Sequence, residues 1–504
     1  MSRLSTLLRL EAAETQTVQD ASLVGHFHLT ERPLIFLPLN RSGTEATLLA
    51  VMFGDDPARP HLLVAPPNGR PTAFLEELAD RILTHIDSFQ NTERLPAKGG
   101  KPARERHTHA PQLLVANRKS IPYIQRLGRS LRFTDTPEGS DPARSVGRLG
   151  QWLTFFADHA EHPGSAFLLA LTDLLTTRWI TGQSSLEDEH LAALLAWIDP
   201  PPGTTGLSAA IEAENPQVPG PDGQLRRPAG PATDPSFDSL ELDPLLTAYD
   251  EAAKEGNTAV MARLTDRLHT LLRNYLTPTW DDAWHALGLL RSLTPTQDSQ
   301  RRWAADRDRF TAYRSYLADD GRPQPAKDDP VSAARRLARM ELAQGAFNAH
   351  RALEDRFFMA ERRTTGEALA GTVTDTDPHH TIPGARGPLL RPRLTLHTTD
   401  PVRLDIGSLL AGPHNPRVHL AVRAITPRDH GTDLLLEITT LTGTVKKPRT
   451  DSVPAVDDLL ELTFAPEFFR RPPFPSRENT PWTHGGPQHN HPAAILETTE
   501  EPQP

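Results

Sequence analysis

Residues 33–69 read PLIFLPLNRSGTEATLLAVMFGDDPARPHLLVAPPNG. Three apolar runs, at 33–40, 47–55 and 61–69, are separated by RSGTE and DPARP, both rich in turn formers. Runs this short, bounded by Gly, Pro, Asn and Asp, predict three strands in a meander. From residue 72 the period changes. Phe74, Leu75, Leu78, Ile82 and Ile86 recur at helical spacing, which predicts a helix over 72–89. A polar loop at 90–112 leads to LLVA at 113–116, a fourth strand, and to SIPYIQRLGRSLRF at 120–133, a second helix. The predicted order is βββαβα.

The remainder of the chain changes character twice. Three helical stretches fill 145–198, and SSLEDEHLAALLAWI carries the Ser and early acids of a helix N-terminus. Residues 199–237 hold nine prolines and five glycines with little periodicity, the composition of a linker. A second helical region covers 240–365, and its last helix, 331–363, is long enough to act as a strut. Alternating apolar runs at 391–398, 418–429, 432–443 and 458–466 predict a small β-barrel over 388–468. A polar tail, 471–504, is expected to be disordered. The expected fold class is therefore α+β and multidomain: an α+β domain at 1–135 with a basic loop and helix, a central all-α region, and a C-terminal barrel. About three domains suit 504 residues.

Three resemblances follow from the sequence. The βββαβα order of residues 33–133 resembles the start of a ribonuclease H-like fold. That family places metal-binding carboxylates on its first strand, and residues 33–40 carry none, so the resemblance implies the topology without the chemistry. The strand spacing after residue 388 resembles OB-fold or SH3-like barrels. LLVANR at 113–118 is similar to the opening strand of biotin carboxylases, but Lys119, Ser120 and Ile121 replace their Gly-Glu-Ile and no ATP-grasp signature follows.

Composition removes several classes of chemistry. With no cysteine, disulfides, thiolate zinc sites and cysteine nucleophiles are excluded. The N-terminus has too short an apolar stretch for a signal peptide. The most apolar run, 166–175, contains Asp173 and falls well short of the roughly 18 residues of a membrane span. A soluble, cytoplasmic protein is expected. The 48 prolines exceed the usual share of roughly 5%. Seven lysines against 47 arginines suggest a GC-rich genome.

Motifs for catalysis are missing. The one Gly-Lys pair, Gly100-Lys101, has Leu95 where a P-loop needs glycine, and no G-x-G-x-x-G follows a strand. There is no H-E-x-x-H, no G-x-S-x-G, and no lysine two residues after an acid. Acid-x-x-His pairs occur at Glu187/His190, Asp266/His269, Asp282/His285 and Asp377/His380, no more than this composition yields by chance. His107/His109 and the tail histidines His484, His489 and His491 read as solvated loop. No cofactor and no metal ligand set is predicted.

Charge is what stands out. Between Arg94 and Arg132 there are ten cations and one acid, Glu105. That stretch carries +9 in a chain of net charge −10, leaving −19 elsewhere. The candidate nucleic-acid-binding residues are Lys98, Lys101, Arg104, Arg106, Arg118, Lys119, Arg126, Arg129 and Arg132. In a helix over 121–133, Ile121, Ile124, Leu127 and Leu131 share one face, and Arg126, Arg129 and Arg132 share the next. A helix with an arginine flank beside a basic loop suits a phosphate backbone. Two other readings stay open: pairing with acids of the same chain or of a protein partner, and a small phosphorylated ligand. The leading expectation is a non-catalytic accessory protein that binds DNA or RNA beside a separate motor or nuclease. The alternatives are a multidomain protein–protein scaffold and a divergent metal-dependent nuclease. No membrane partner is expected.

Overall fold

The computed structural model describes residues 3–43, 48–67, 72–97, 102–134, 141–215, 230–328, 330–449 and 453–469. Lys98, Lys101 and the tail 471–504 lie outside the described residues. The chain is mixed α+β.

After helix α1 (Arg3–Thr15) come three antiparallel strands, β1 (Leu34–Asn40), β2 (Leu48–Gly54) and β3 (His61–Val64). Every residue of β1 is buried, which explains its continuous apolar run: a strand covered on both faces does not alternate. Helix α2 (Thr72–Asp87) buries Phe74, Leu78, Ala79, Ile82 and Ile86. The stretch 90–112, polar throughout, holds a hairpin, β4 (Thr92–Leu95) with β5 (Arg104–His107). Then β6 (Leu113–Val115) joins β1 in parallel, followed by helices α3 (Ser120–Leu131) and α4 (Asp141–Ala160).

The run at 166–175 is not one helix. Its first part is a strand, β7 (Leu168–Ala170), parallel to β6, and α5 (Leu171–Arg178) follows at once. Pairing with a buried strand overrides the local helical pattern here. The sheet order is β3-β2-β1-β6-β7.

Two further helices, α6 (Leu191–Ile198) and α7 (Gly206–Glu214), pack through Trp197 and Ala210. Helix α7 lies inside the Pro/Gly-rich stretch 199–237 and starts with a Thr205/Ser208 capping box, which satisfies its first amides. Next come α8 (Asp243–Lys254), α9 (Thr258–Arg291), α10 (Gln297–Ala318), α11 (Pro330–Glu354) and α12 (Arg356–Thr365). Trp280 of α9 is buried against the sheet, and its indole N–H donates to the Pro57 carbonyl at 3.0 Å. One apolar core runs from Leu34 through Leu317. The expected strut at 331–363 breaks at Asp355. Its carboxylate accepts from the Phe357 amide at 3.0 Å, capping α12, and pairs with buried His26 at 2.9 Å.

A second core lies in a closed barrel of β8 (Ala368–Asp377), β9 (Arg393–Thr398), β10 (Leu409–Gly412), β11 (Asn415–Arg428), β12 (Gly431–Ile438) and β13 (Leu459–Phe464). The order is β8-β9-β12-β11-β10-β13. It has six strands, one more than the five of an OB barrel and two more than the sequence predicts: β8, which begins upstream of residue 388, and β10. Leu369, Val373, Leu394, Leu396, Leu434 and Leu436 fill the interior. Among the described residues no helix is long and apolar enough to cross a membrane.

Candidate nucleic-acid interface

Helix α3 carries Arg126 and Arg129 of the basic segment, with Arg132 at its C-cap. It buries Tyr123, Ile124, Leu127, Gly128 and Leu131. Ile121, expected on that face, is half-buried and Tyr123 takes its place. Two glycines let α3 sit directly on α4. A Cβ at Gly128 would lie 2.7 Å from the Thr154 amide nitrogen, and one at Gly150 would lie 2.2 Å from that of Arg132. The arginine flank is therefore set by backbone-to-backbone contact.

The described cations have different fates. Arg104 reaches Asp308 of α10 at 2.8 Å. Arg106 reaches Glu93 at 2.6 Å across the β4–β5 ladder and Asp308 at 3.9 Å. The hydrogen bond from Arg106, helped by Arg307, holds the Glu93 carboxyl below the usual range. Arg118 lies 3.2 Å from Asp173, and its amide donates to Glu189 at 3.2 Å. Burial pushes both of those carboxyls up, and their mutual repulsion adds to the rise at Glu189. Arg132 is only 5% exposed. Its Nη2 donates to the Pro325 carbonyl at 2.9 Å, and burial lowers its pKa. Lys119, Arg126 and Arg129 are exposed and make no ion pair with any described residue. Arg126 and Arg129, three residues apart, stand about 4.5 Å apart along the helix axis.

Open α/β sheets bind ligands in the crevice outside the carboxyl ends of their strands. Here the chain fills that crevice itself. The Asn40 amide, at the end of β1, donates to the Pro231 carbonyl at 2.7 Å, and the Thr233 amide donates back to the Asn40 carbonyl at 2.9 Å. Asn117, just past β6, donates its Nδ2–H to the Gly230 carbonyl at 2.8 Å. Both end positions are amides rather than carboxylates.

Three of the histidines singled out by spacing have local contacts. His190 accepts from the Ala193 amide at the start of α6, His285 pairs with Asp199 at 3.0 Å, and His380 lies 3.5 Å from Asp377. His107 meets Thr311 at 3.0 Å. No group of three or more potential metal ligands occurs among the described residues. A charge count does not single out Phe133 or Arg148, which adjoin the α3 flank. Helical periodicity places Phe133 off the apolar face of α3, the one signal in the sequence that marks it. No protein family matches this chain, and no curated protein and no solved structure is detectably similar to it.

Proposed function

We propose that this chain is a non-catalytic nucleic-acid-binding accessory protein, cytoplasmic, working beside a separate motor or nuclease. One observation carries the reading. In an acidic chain, Lys119, Arg126 and Arg129 sit exposed on and just before one rigid helix, with no ion pair among the described residues. Their field is available to phosphates, tempered by Asp158 near Arg129 and by Glu189 near Lys119. Arg104, Arg106 and Arg118 are partly neutralised by acids of the same chain and contribute less.

We assign the first core a ribonuclease H-like topology. Three antiparallel strands followed by two parallel ones on the far side of β1 support it. The buried apolar β1 and the crevice occupied by residues 230–233 support a binding role over hydrolysis. A scaffold is the second reading. It draws on a groove of about 740 Å³ between α8 and α9, where Leu240 is 76% exposed, a surface suited to a protein partner.

A gel-retardation assay separates the two. The full chain should retard DNA or RNA at low salt, and Arg126→Glu with Arg129→Glu should weaken binding to all sequences alike. No retardation of either polymer would sink the nucleic-acid reading and leave the scaffold.

A further inference from the structure

The arginine flank of α3 runs into a cavity of about 370 Å³, within the roughly 300–1,000 Å³ range of ligand sites. Its lining includes Arg132 and Phe133 from the end of α3, Arg148 and Gln151 from α4, and Asp320 and Gly321 beyond α10. Phe133 is 52% exposed. The Arg132 guanidinium lies over that ring, 4.9 Å from its centroid, so the ring is held from one side. The Arg132 Nε is buried without a hydrogen-bond partner among the described residues. Arg148 is half-buried and makes no ion pair among them. Arg129 lies close enough to Arg132 to lower its pKa.

We propose that this cavity receives one base of a single-stranded nucleic acid, an inference that rests on the nucleic-acid reading above. The base stacks on the open face of Phe133, and the phosphates on either side meet Arg148 and Arg129. An aromatic platform beside a cationic track is how single strands are held without reading sequence. The cations continue outside the cavity to Arg126, one turn further along α3, so the charge follows a backbone longer than one phosphate. Arg129 is exposed outside the cavity while Phe133 lines it, which places the phosphates at the rim and the base inside. A duplex keeps its bases stacked and cannot reach Phe133 in this way.

The test is fluorescence anisotropy on the full chain with three labelled probes: a 20-nucleotide oligothymidylate, a 20-nucleotide oligouridylate and a 20-base-pair duplex. Phe133→Ala should weaken single-strand binding roughly five- to a hundredfold, the loss typical of one stacked base, and leave duplex binding unchanged. Phe133→Trp should restore it. Phe133→Leu, which keeps apolar area without a π face, should not. The two oligonucleotides tell DNA from RNA as the preferred strand. If Phe133→Ala stays within twofold of the native protein while Arg126→Glu with Arg129→Glu weakens binding, the base pocket is wrong and the nucleic-acid reading stands. If none of the probes binds, both fall. Binding of thymidine monophosphate as tight as that of the oligothymidylate would overturn the strand in favour of a free nucleotide.

Discussion

Gly150→Ala tests the contact that fixes the basic helix. On helix propensity alone the change should help, since Ala is better than Gly by about 1 kcal/mol in a helix interior. Packing opposes it. The new methyl would sit 2.2 Å from the Arg132 nitrogen, 2.6 Å from the Leu131 carbonyl carbon and 2.7 Å from the Arg132 Cα. All three are backbone atoms, so no side chain can rotate away, and α3 and α4 must part by about 1 Å to reach ordinary contact. Overpacking a tight site costs roughly 1–3 kcal/mol, and a backbone obstacle puts this case at the upper end. The net expectation is a loss of about 2 kcal/mol. Urea denaturation followed by circular dichroism at 222 nm measures it as a lower midpoint at unchanged slope. Gly288→Ala in α9 is the control. A Cβ there meets nothing within 4 Å, so it should stabilise by about 1 kcal/mol. If Gly150→Ala raises the midpoint as Gly288→Ala does, α3 does not lie on α4 as described, and the placement of Arg126 and Arg129 loses its basis.

Other outcomes follow from buried charge. Glu437, with its side chain 2% exposed, accepts from Arg423 at 2.6 Å and from Arg393 at 3.0 Å. Glu437→Gln leaves two arginines unpaired and should cost the barrel about 2–3 kcal/mol, below the roughly 3–5 of a fully buried pair because Arg423 is partly solvated. Burial alone would raise the Glu437 carboxyl, but hydrogen bonds from Arg423 and Arg393 bring it below its usual value. Its stabilisation is therefore present above the unfolded carboxylate value and lost as pH falls through the lower folded one. Thermal melts between pH 5 and 3 should show the native chain losing more than the Gln variant. His85 behaves differently: burial pushes it down to about 4, despite Asp55 nearby. The unfolded chain takes up that proton between about pH 6.5 and 4 while the folded chain does not, so stability falls across that window by up to about 3 kcal/mol. His85→Gln should flatten this part of the pH dependence, and equal losses in both proteins between pH 7.5 and 5 would refute it.

Much of the first sheet was legible because its physics is local. The turn formers RSGTE and DPARP delimit β1 and β2 in the sequence, and the periodic apolar residues of α2 report a face that is in fact buried. What escaped depends on distant partners. The strand Leu168–Ala170 is three residues long and runs straight into a helix, so only its pairing with Leu113–Val115 distinguishes it. The hairpin β4–β5 alternates charged residues across a ladder and shows no apolar period. The barrel's first strand, ALAGTVTDTD, exposes acids and threonines on its outer side, which hid it from a count of apolar runs. The basic segment was visible as charge, but its accessibility was not. Asp308 is 204 residues from Arg104 in sequence, and Arg132 shares the period of Arg126 and Arg129 yet is buried where α3 meets α4.

The most direct test of nucleic-acid binding through α3 is the salt dependence of its affinity for a 20-nucleotide single strand, measured upward from about 50 mM. Each phosphate contact on a single strand contributes a slope of about −0.7 in log K against log salt. Arg126→Gln with Arg129→Gln removes two such contacts, so the slope should shrink in magnitude by about 1.4 while binding weakens at every salt. Identical slopes in the native protein and the double variant, or no binding at the lowest salt, would contradict the account.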